Sequence, residues 1–198
     1  MPPNFFLQNK TIKAYAGIGS RKTPGDILLM MTDIAKALDS RGYILFSGGA
    51  DGADKAFEAG ATKRVIFIPW NGFNGYSPGL DIVSLSGAQK QIFAEATKLA
   101  QDNHPYGRNL KSSVLRLMTR NVFQVLGPNL KSPIKFLLCW TPDGCESHTT
   151  RTLATGGTGC AISLASKLNI PILNLANEMS FARLSRFLES AAAPAPRP

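Results

Sequence analysis

Three glycine-bearing turns hold the residues of this chain that are best suited to chemistry. Glycine has no Cβ, so backbone N–H groups in such turns can approach a phosphate, and the N-terminus of a following helix favours its negative charge. Arg21 and Arg120 add fork-shaped guanidinium donors, while Asp51 and Asp54 suit either a ribose hydroxyl or the capping of a helix. The predicted phosphate- or ligand-binding residues are Gly19, Ser20, Arg21, Ser47, Gly48, Gly49, Asp51, Asp54, Arg120, Asn121, Gly156, Gly157, Thr158 and Gly159.

The spacing of these residues does not match the common nucleotide and metal sites. No turn follows the GxxxxGK[ST] pattern of P-loop ATPases or the full GxGxxG pattern of dinucleotide-binding proteins. Cys139, Cys145 and Cys160 form no CxxC pair, and the chain has only 2 histidines, so neither a disulfide framework nor a zinc cluster is indicated. We expect reduced thiols, no metal and no cofactor.

The charge of the chain favours a polyanionic partner. It carries 22 basic and 13 acidic residues, a net charge of +9, and this excess points toward polyanions such as nucleic acid or phosphorylated ligands. Residues 103–135 contain six basic residues and no acidic one, a run that forms either a nucleic-acid surface or an ordinary solvated helix face. The predicted nucleic-acid contacts are Arg108, Lys111, Arg116, Lys131 and Lys135, and the residues predicted either to stack on bases or to pack within the protein are Trp70 and Trp140.

Short apolar runs alternate with amphipathic helical patterns, and these elements must position the turns. The runs predict strands over residues 11–16, 43–46, 65–68, 134–140 and 171–175, with the fourth in the middle of the sheet. The apolar spacing predicts a helix that Thr23 caps and Gly42 ends, a short helix ending near residue 59, and helices over residues 87–101, 110–126, 160–168 and 180–190. This alternation predicts an α/β fold, a Rossmann-like open and mostly parallel sheet with helices on both faces. Residues 70–86 are predicted to form a loop that can act as a lid.

Length and composition indicate one domain over residues 1–190 and a disordered tail over residues 191–198. The chain has 198 residues, of which 44% are hydrophobic and 18% charged, so it can bury a substantial core. No apolar run approaches the roughly 18 residues that span a bilayer, and the N-terminus lacks the pattern of a signal peptide. We therefore expect a cytoplasmic protein without a membrane partner.

The turns, in their order along the chain, resemble the Rossmann-type core of DNA-processing protein A (DprA, also called Smf). The matching segments are Gly19-Ser20-Arg21, the octad Ser47-Gly48-Gly49-Ala50-Asp51-Gly52-Ala53-Asp54, Arg120-Asn121, and Gly156-Gly157-Thr158-Gly159. The resemblance covers residues 12–176 and extends to the SLOG superfamily, which unites DprA with the lonely-guy phosphoribohydrolases; short stand-alone members are similar to bacteriophage proteins. It implies that the octad is the ligand-facing, anion-binding turn after the second strand.

Two departures from these families bear on activity. The DprA pattern continues Arg-Asn-Arg where this chain has Arg120-Asn121-Val122, and no part of the chain resembles the winged-helix domain of DprA. In the lonely-guy motif Pro-Gly-Gly-x-Gly-Thr-x-x-Glu, the position of the catalytic glutamate is Ser163 here. A hydroxyl cannot replace a carboxylate in activating water or in stabilising a developing cation, so we predict no catalytic residue.

Two functions remain open. The first is a DprA-like single-stranded DNA-binding protein of DNA processing or recombination, which holds phosphates on the glycine turns and the basic run and stacks bases on aromatic rings. The second is the sensing, sequestering or lonely-guy-like hydrolysis of a small nucleotide-derived ligand in the pocket between the turns. The resemblance also implies a homodimer, in the cytoplasm of a bacterium or of a phage-infected host cell.

Overall fold

The computed structural model describes residues 12–190, with the exception of the side chain of Arg108. The predicted tail over residues 191–198 and the first residue of the predicted first strand lie outside the described residues. Within them, the sheet has six parallel strands: β1 (Ala14–Gly17), β2 (Ile44–Ser47), β3 (Arg64–Ile68), β4 (Ile82–Ser84), β5 (Phe136–Cys139) and β6 (Ile172–Asn174). Each strand predicted from the apolar runs is present, and the α/β Rossmann-like fold class is confirmed.

The strand order, β4-β3-β2-β1-β5-β6, places β1 and β2 at the centre of the sheet. β5 pairs with β1 on one side and β6 on the other, so it is an interior strand as its apolar sequence predicted, but it lies next to the edge strand rather than in the middle. The direction in which successive strands are added reverses between β1 and β5. The chain adds β2, β3 and β4 on one side of β1 and then returns to place β5 and β6 on the other side. Open α/β sheets bind ligands at the carboxyl ends of the two strands that flank such a switch point.

Over residues 12–190, six helices cover the two faces of the sheet: α1 (Gly25–Ser40), α2 (Ala53–Gly60), α3 (Lys90–Asp102), α4 (Ser112–Leu126), α5 (Gly159–Lys167) and α6 (Glu178–Ser190). Alternation along β1 shows the two layers. Tyr15 lies in a buried cluster with residues of α1, α2 and α6, whereas Ala14 and Ala16 lie in a second cluster with residues of α3, α4 and α5. None of the helices among residues 12–190 is long and apolar enough to cross a membrane.

The start of α1 differs from the prediction. Thr23 was expected to cap the helix, but Pro24 occupies the capping position and no side chain caps it. The reason is that Thr23 Oγ1 donates a hydrogen bond to the Ser20 carbonyl at 2.7 Å and so braces the preceding turn. The predicted end is confirmed, since the chain leaves the helix at Arg41 and Gly42 adopts a φ of +77°.

The segment over residues 70–86, predicted as a loop, contains the edge strand β4 and two short 3₁₀ turns. Only three residues of β4 pair with β3, and their alternation is too short to stand out from the surrounding Gly, Asn and Pro. The segment is attached to the octad, because Asn74 Nδ2 donates to the Gly49 carbonyl at 2.9 Å and Tyr76 reaches Glu58. These contacts hold it as a fixed cover of the second turn.

Candidate functional site

A cavity of about 370 Å³ lies at the switch point, beyond the carboxyl end of β1. Four segments enclose it: the turn after β1, the octad after β2, one face of α4, and the turn before α5. Its lining residues include Gly19, Ser20, Arg21, Lys22, Asp54, Arg120, Asn121, Gln124, Gly156, Gly157 and Thr158. The fold therefore brings the three glycine turns together, and we call this space the first cavity.

A buried ion pair forms one wall of the first cavity. Arg120 Nη1 donates to Asp54 Oδ2 at 2.9 Å, and the two side chains are only 8% and 4% exposed. Burial raises the pKa of Asp54, although Arg120 and the N–H groups of the turn oppose that change. Asp54 also accepts a hydrogen bond from the Ala50 N–H at 3.2 Å, so the pair links α4 to the octad. A buried pair of this kind costs desolvation and depends on both partners remaining in place.

A second buried carboxylate, Glu58, organises the octad from behind. Its Oε1 accepts hydrogen bonds from the Ser47 hydroxyl at 2.6 Å and the Gly49 N–H at 3.0 Å, and its Oε2 accepts one from the Tyr76 hydroxyl at 2.5 Å. Burial raises the pKa of Glu58, partly offset by the hydrogen bonds from Ser47 and Tyr76. The polar groups of residues 47–49 are thus directed to the protein interior.

Two glycines of the octad are needed for close approach. A Cβ at Gly48 would overlap the guanidinium of Arg120, so the absence of a side chain lets Arg120 cross to Asp54. Gly52 has a φ of +80°, and a Cβ there would lie 2.7 Å from the Ser20 carbonyl oxygen and 2.8 Å from the Cα of Arg21. The octad is therefore packed directly against the turn after β1.

The turn after β1 is more open than the octad. Its backbone is held by a hydrogen bond from the Ser20 N–H to the Trp140 carbonyl at 3.2 Å, and Ser20 Oγ accepts one from the Lys22 N–H at 3.0 Å. Arg21 and Lys22 are exposed and line the first cavity. Both cations are consequently positioned to meet an anion that enters it.

The turn before α5 is also exposed at its tip. Gly156 and Gly157 are exposed, and the Gly157 carbonyl accepts a hydrogen bond from Asn121 Nδ2 of α4 at 3.0 Å. The base of this segment is held by Asp143, whose Oδ2 accepts from the hydroxyls of Thr152 and Thr155. Burial opposes the change, but these hydrogen bonds lower the pKa of Asp143 to about 2.

Several predicted site residues lie outside the first cavity. Ser47, Gly48 and Gly49 are buried behind the ion pair, and Asp51 is exposed and pairs with Lys55 at 2.9 Å. Gly159 is buried against Arg151. The octad, predicted as the ligand-facing turn, thus contributes mainly Ala50 and Asp54 to the cavity wall.

The basic residues of the 103–135 run do not form one surface. Lys111 precedes α4, whereas Lys131 and Lys135 follow it, and a helix of this length separates its ends by about 22 Å. Lys135 directly precedes β5, at the amino ends of the strands, whereas the first cavity lies beyond their carboxyl ends. Arg116 is bound within the protein, since it donates to the Pro69 carbonyl and to Ser86 Oγ, both at 3.2 Å. The side chain of Arg108 lies outside the described part of the structure.

The two tryptophans predicted as stacking residues pack against their own domain. Trp70 makes an edge-on contact with Phe73, with ring centroids 5.4 Å apart. Trp140 packs on the buried cluster formed with α1, α2 and α6. Both are half-buried, and neither lines the first cavity.

Sequence reasoning missed Glu58 and Gln124. Glu58 lies four residues after Asp54 on α2, the spacing that places two side chains on one helix face. Gln124 lies four residues after Arg120 on α4, lines the first cavity, and is fully buried with no partner for its Nε2 or Oε1 among the described residues. A polar residue at an apolar position of a core helix was the available signal.

One of three comparisons with known proteins found a match, and it supports this architecture. No protein-family model matches the chain, and no curated protein matches it. Among solved structures, the chain is similar to DNA processing protein A from Helicobacter pylori, a protein that binds single-stranded DNA, with a TM-score of 0.57 and 16% identity over 96% of this chain and 84% of that chain. The chain has a DprA-like fold.

The groups that line the first cavity suit an anionic ligand. Its exposed lining residues are Arg21, Lys22, Ala154, Gly156 and Gly157, and the Asp54 carboxylate in its wall is bound by Arg120. Ser163, at the position of the lonely-guy glutamate, does not line this cavity; its Oγ accepts a hydrogen bond from Arg151 Nη1 at 3.1 Å. Among the described residues, no group of histidine, cysteine, aspartate and glutamate side chains is arranged to hold a metal ion.

Proposed function

We propose that this protein binds single-stranded DNA in the first cavity, as part of DNA processing or recombination. The observation that carries the proposal is the convergence of Arg21, Lys22 and the turn over residues 156–158, whose two glycines are exposed, on one cavity at the switch point of the sheet. The DprA-like fold supports it, since the similar Helicobacter pylori protein binds single-stranded DNA. The net charge of +9 adds long-range attraction to a polyanion.

In this proposal each side of the cavity has its own role. Arg21 and Lys22 contact phosphates at the open rim, where a flexible strand can enter. Arg120 is already paired with Asp54, so it holds the wall in shape and adds its donors only at the cavity surface. Gln124 offers both a donor and an acceptor at the base of the cavity, which suits the edge of a nucleobase.

The test is fluorescence anisotropy of the protein with a labelled oligothymidine over a salt series. We expect affinity to fall with salt, with a slope of about −0.7 for each phosphate contacted. Arg21→Ala should weaken binding roughly tenfold and flatten the slope, because one exposed phosphate contact is lost. Lys135→Ala is the matched control, since Lys135 is an exposed cation at the amino ends of the strands, away from the first cavity. No binding at low salt, or equal losses in both variants, would contradict the proposal.

A second candidate is a small nucleotide-derived ligand. The volume of the first cavity, about 370 Å³, lies within the range of small-molecule pockets. The buried Gln124 amide has no hydrogen-bond partner within residues 12–190, which favours a ligand that reaches it. Isothermal titration with mononucleotides and cyclic dinucleotides distinguishes the two functions. Tight binding of one of these, with little dependence on salt and no oligothymidine binding, would favour the small ligand.

The location and the oligomeric state of the protein are also proposals. A protein that binds single-stranded DNA belongs in the cytoplasm of a bacterium or of a phage-infected cell, and we propose that location. Homodimerisation also stays a prediction, and sedimentation analysis of the purified chain would test it.

A further inference from the structure

A second cavity, of about 550 Å³, lies on the other side of the segment that closes the first. It is enclosed by the end of α3, the outer face of α5, and residues 148–153. Residues 154–158 line the first cavity, whereas residues 151–153 line the second, so one continuous stretch of chain forms a wall of both. Of the motif positions named from the sequence, Ser163, at the position of the lonely-guy glutamate, lines this space.

The second cavity is cationic. Arg151 and Lys167 line it, together with His104 and His148. Arg151 is held in position, because its Nη1 donates to the Asn103 carbonyl at 2.7 Å and to Ser163 Oγ at 3.1 Å. The carboxylate of Asp102 also lines the cavity, but it is paired with Lys98 at 2.7 Å. The balance of charge favours an anionic occupant.

A residue in the wall of the cavity, Asn103, has a buried hydrogen-bond acceptor. Asn103 is 6% exposed and lines the cavity, and its Oδ1 has no hydrogen-bond partner within residues 12–190. Its Nδ2 donates to the Leu99 carbonyl at 2.9 Å, which fixes the orientation of the amide. A buried acceptor without a partner is unfavourable, so an occupant with an N–H or O–H group that reaches it would be favoured. A nucleotide carries both an anionic phosphate and such donors on its base, so it matches both features of this cavity.

We propose that a single strand of nucleic acid crosses the wall formed by residues 151–158 and places a second nucleotide in the second cavity. Its phosphate contacts Arg151 and Lys167, and its base donates to Asn103 Oδ1. Leu153 stands on the wall between the cavities and is 86% exposed, so it offers the crossing strand an apolar contact. This inference rests on the proposed binding of single-stranded DNA and extends the path of the strand beyond the first cavity.

The experiment compares labelled oligothymidines of increasing length with the wild type, Lys167→Glu and Lys36→Glu. Lys167 is the exposed last residue of α5, and Lys36 is an exposed cation on α1, in the other helix layer, so the two variants carry the same change of charge. We expect Lys167→Glu to weaken binding of the long oligonucleotides roughly fivefold or more and to reduce the salt slope by about 0.7 for each lost phosphate contact. The shortest oligonucleotide that binds should keep its affinity.

Each result distinguishes this inference from the function on which it rests. Equal affinities of Lys167→Glu and Lys36→Glu for long oligothymidine, with binding still weakened by Arg21→Ala, would overturn the second cavity alone. Failure of the wild type to bind any oligothymidine would overturn both proposals. A loss of thymidine monophosphate binding in Lys167→Glu, with unchanged oligothymidine affinity, would overturn the strand path in favour of a small anion.

Discussion

The turn after β1 and the octad after β2 both carry glycines, but they present their polar groups in opposite directions. Each follows a buried parallel strand, yet the first exposes Arg21 at the rim of a cavity, while polar groups of residues 47–50 bond inward to Glu58 and Asp54, although Asp51 is exposed. Glycine serves two purposes here. At Gly48 and Gly52 the absence of a side chain lets other protein groups approach. At Gly156, where a Cβ would have open space around it, glycine permits a φ of +60°. A glycine-rich turn at a strand end can therefore form a scaffold or face a cavity, and the neighbouring buried charges decide which.

The largest effect should come from removing the acid that the octad uses as scaffold. Asp54→Ala leaves the Arg120 guanidinium buried without its partner, which should lower the free energy of unfolding by about 3–5 kcal/mol. Asp51→Ala, in the same octad, should change it by less than about 0.5 kcal/mol because that side chain is exposed. Urea unfolding of both variants measures the difference. Equal effects would show that the two aspartates do not have separate roles.

The close approach at Gly48 gives the next largest effect. Gly48→Ala places a Cβ in the space of the Arg120 guanidinium, and such overpacking costs about 1–3 kcal/mol. Gly25→Ala is the matched control, because nothing lies within 4 Å of a Cβ at that helical position, and it should be neutral or stabilising. Thermal unfolding of the two variants would settle the comparison, and a neutral Gly48→Ala would contradict the packing described here.

The pH dependence of stability should reveal Glu58. Burial raises its pKa above the ordinary value of 4.5, so the folded state holds this proton more tightly than the unfolded state. Its contribution to stability therefore falls as pH rises from about 4.5 through the raised pKa, by at most about 1.4 kcal/mol per pH unit for one proton. Glu58→Gln removes this decline.

Urea unfolding from pH 4 to pH 8 measures the effect as a difference between the two proteins. The stability of the wild type relative to Glu58→Gln should decrease with pH. An increase over the same range would mean that the pKa of Glu58 is lowered in the folded protein.

The sequence was sufficient for the architecture and for part of the site. The apolar runs predicted the strands, because strand ends, breakers and helix periods are local signals. The DprA-like fold was predicted from the resemblance of the glycine turns to that family. The sequence could not show that Arg120 reaches Asp54, a contact between residues 66 positions apart that depends on how α4 crosses the sheet. It could not show that the basic run is divided between the two ends of α4, or that β4 completes the sheet with three residues.

The division between an open turn and a scaffold turn can be tested most directly by amide chemical shifts, recorded while unlabelled oligothymidine is added to ¹⁵N-labelled protein. We predict that the largest changes occur at Gly19, Ser20, Arg21, Gly156 and Gly157, with much smaller ones at Gly48 and Gly49. Changes concentrated at Gly48 and Gly49, or at Lys131 and Lys135, which precede β5 at the amino ends of the strands, would contradict the account.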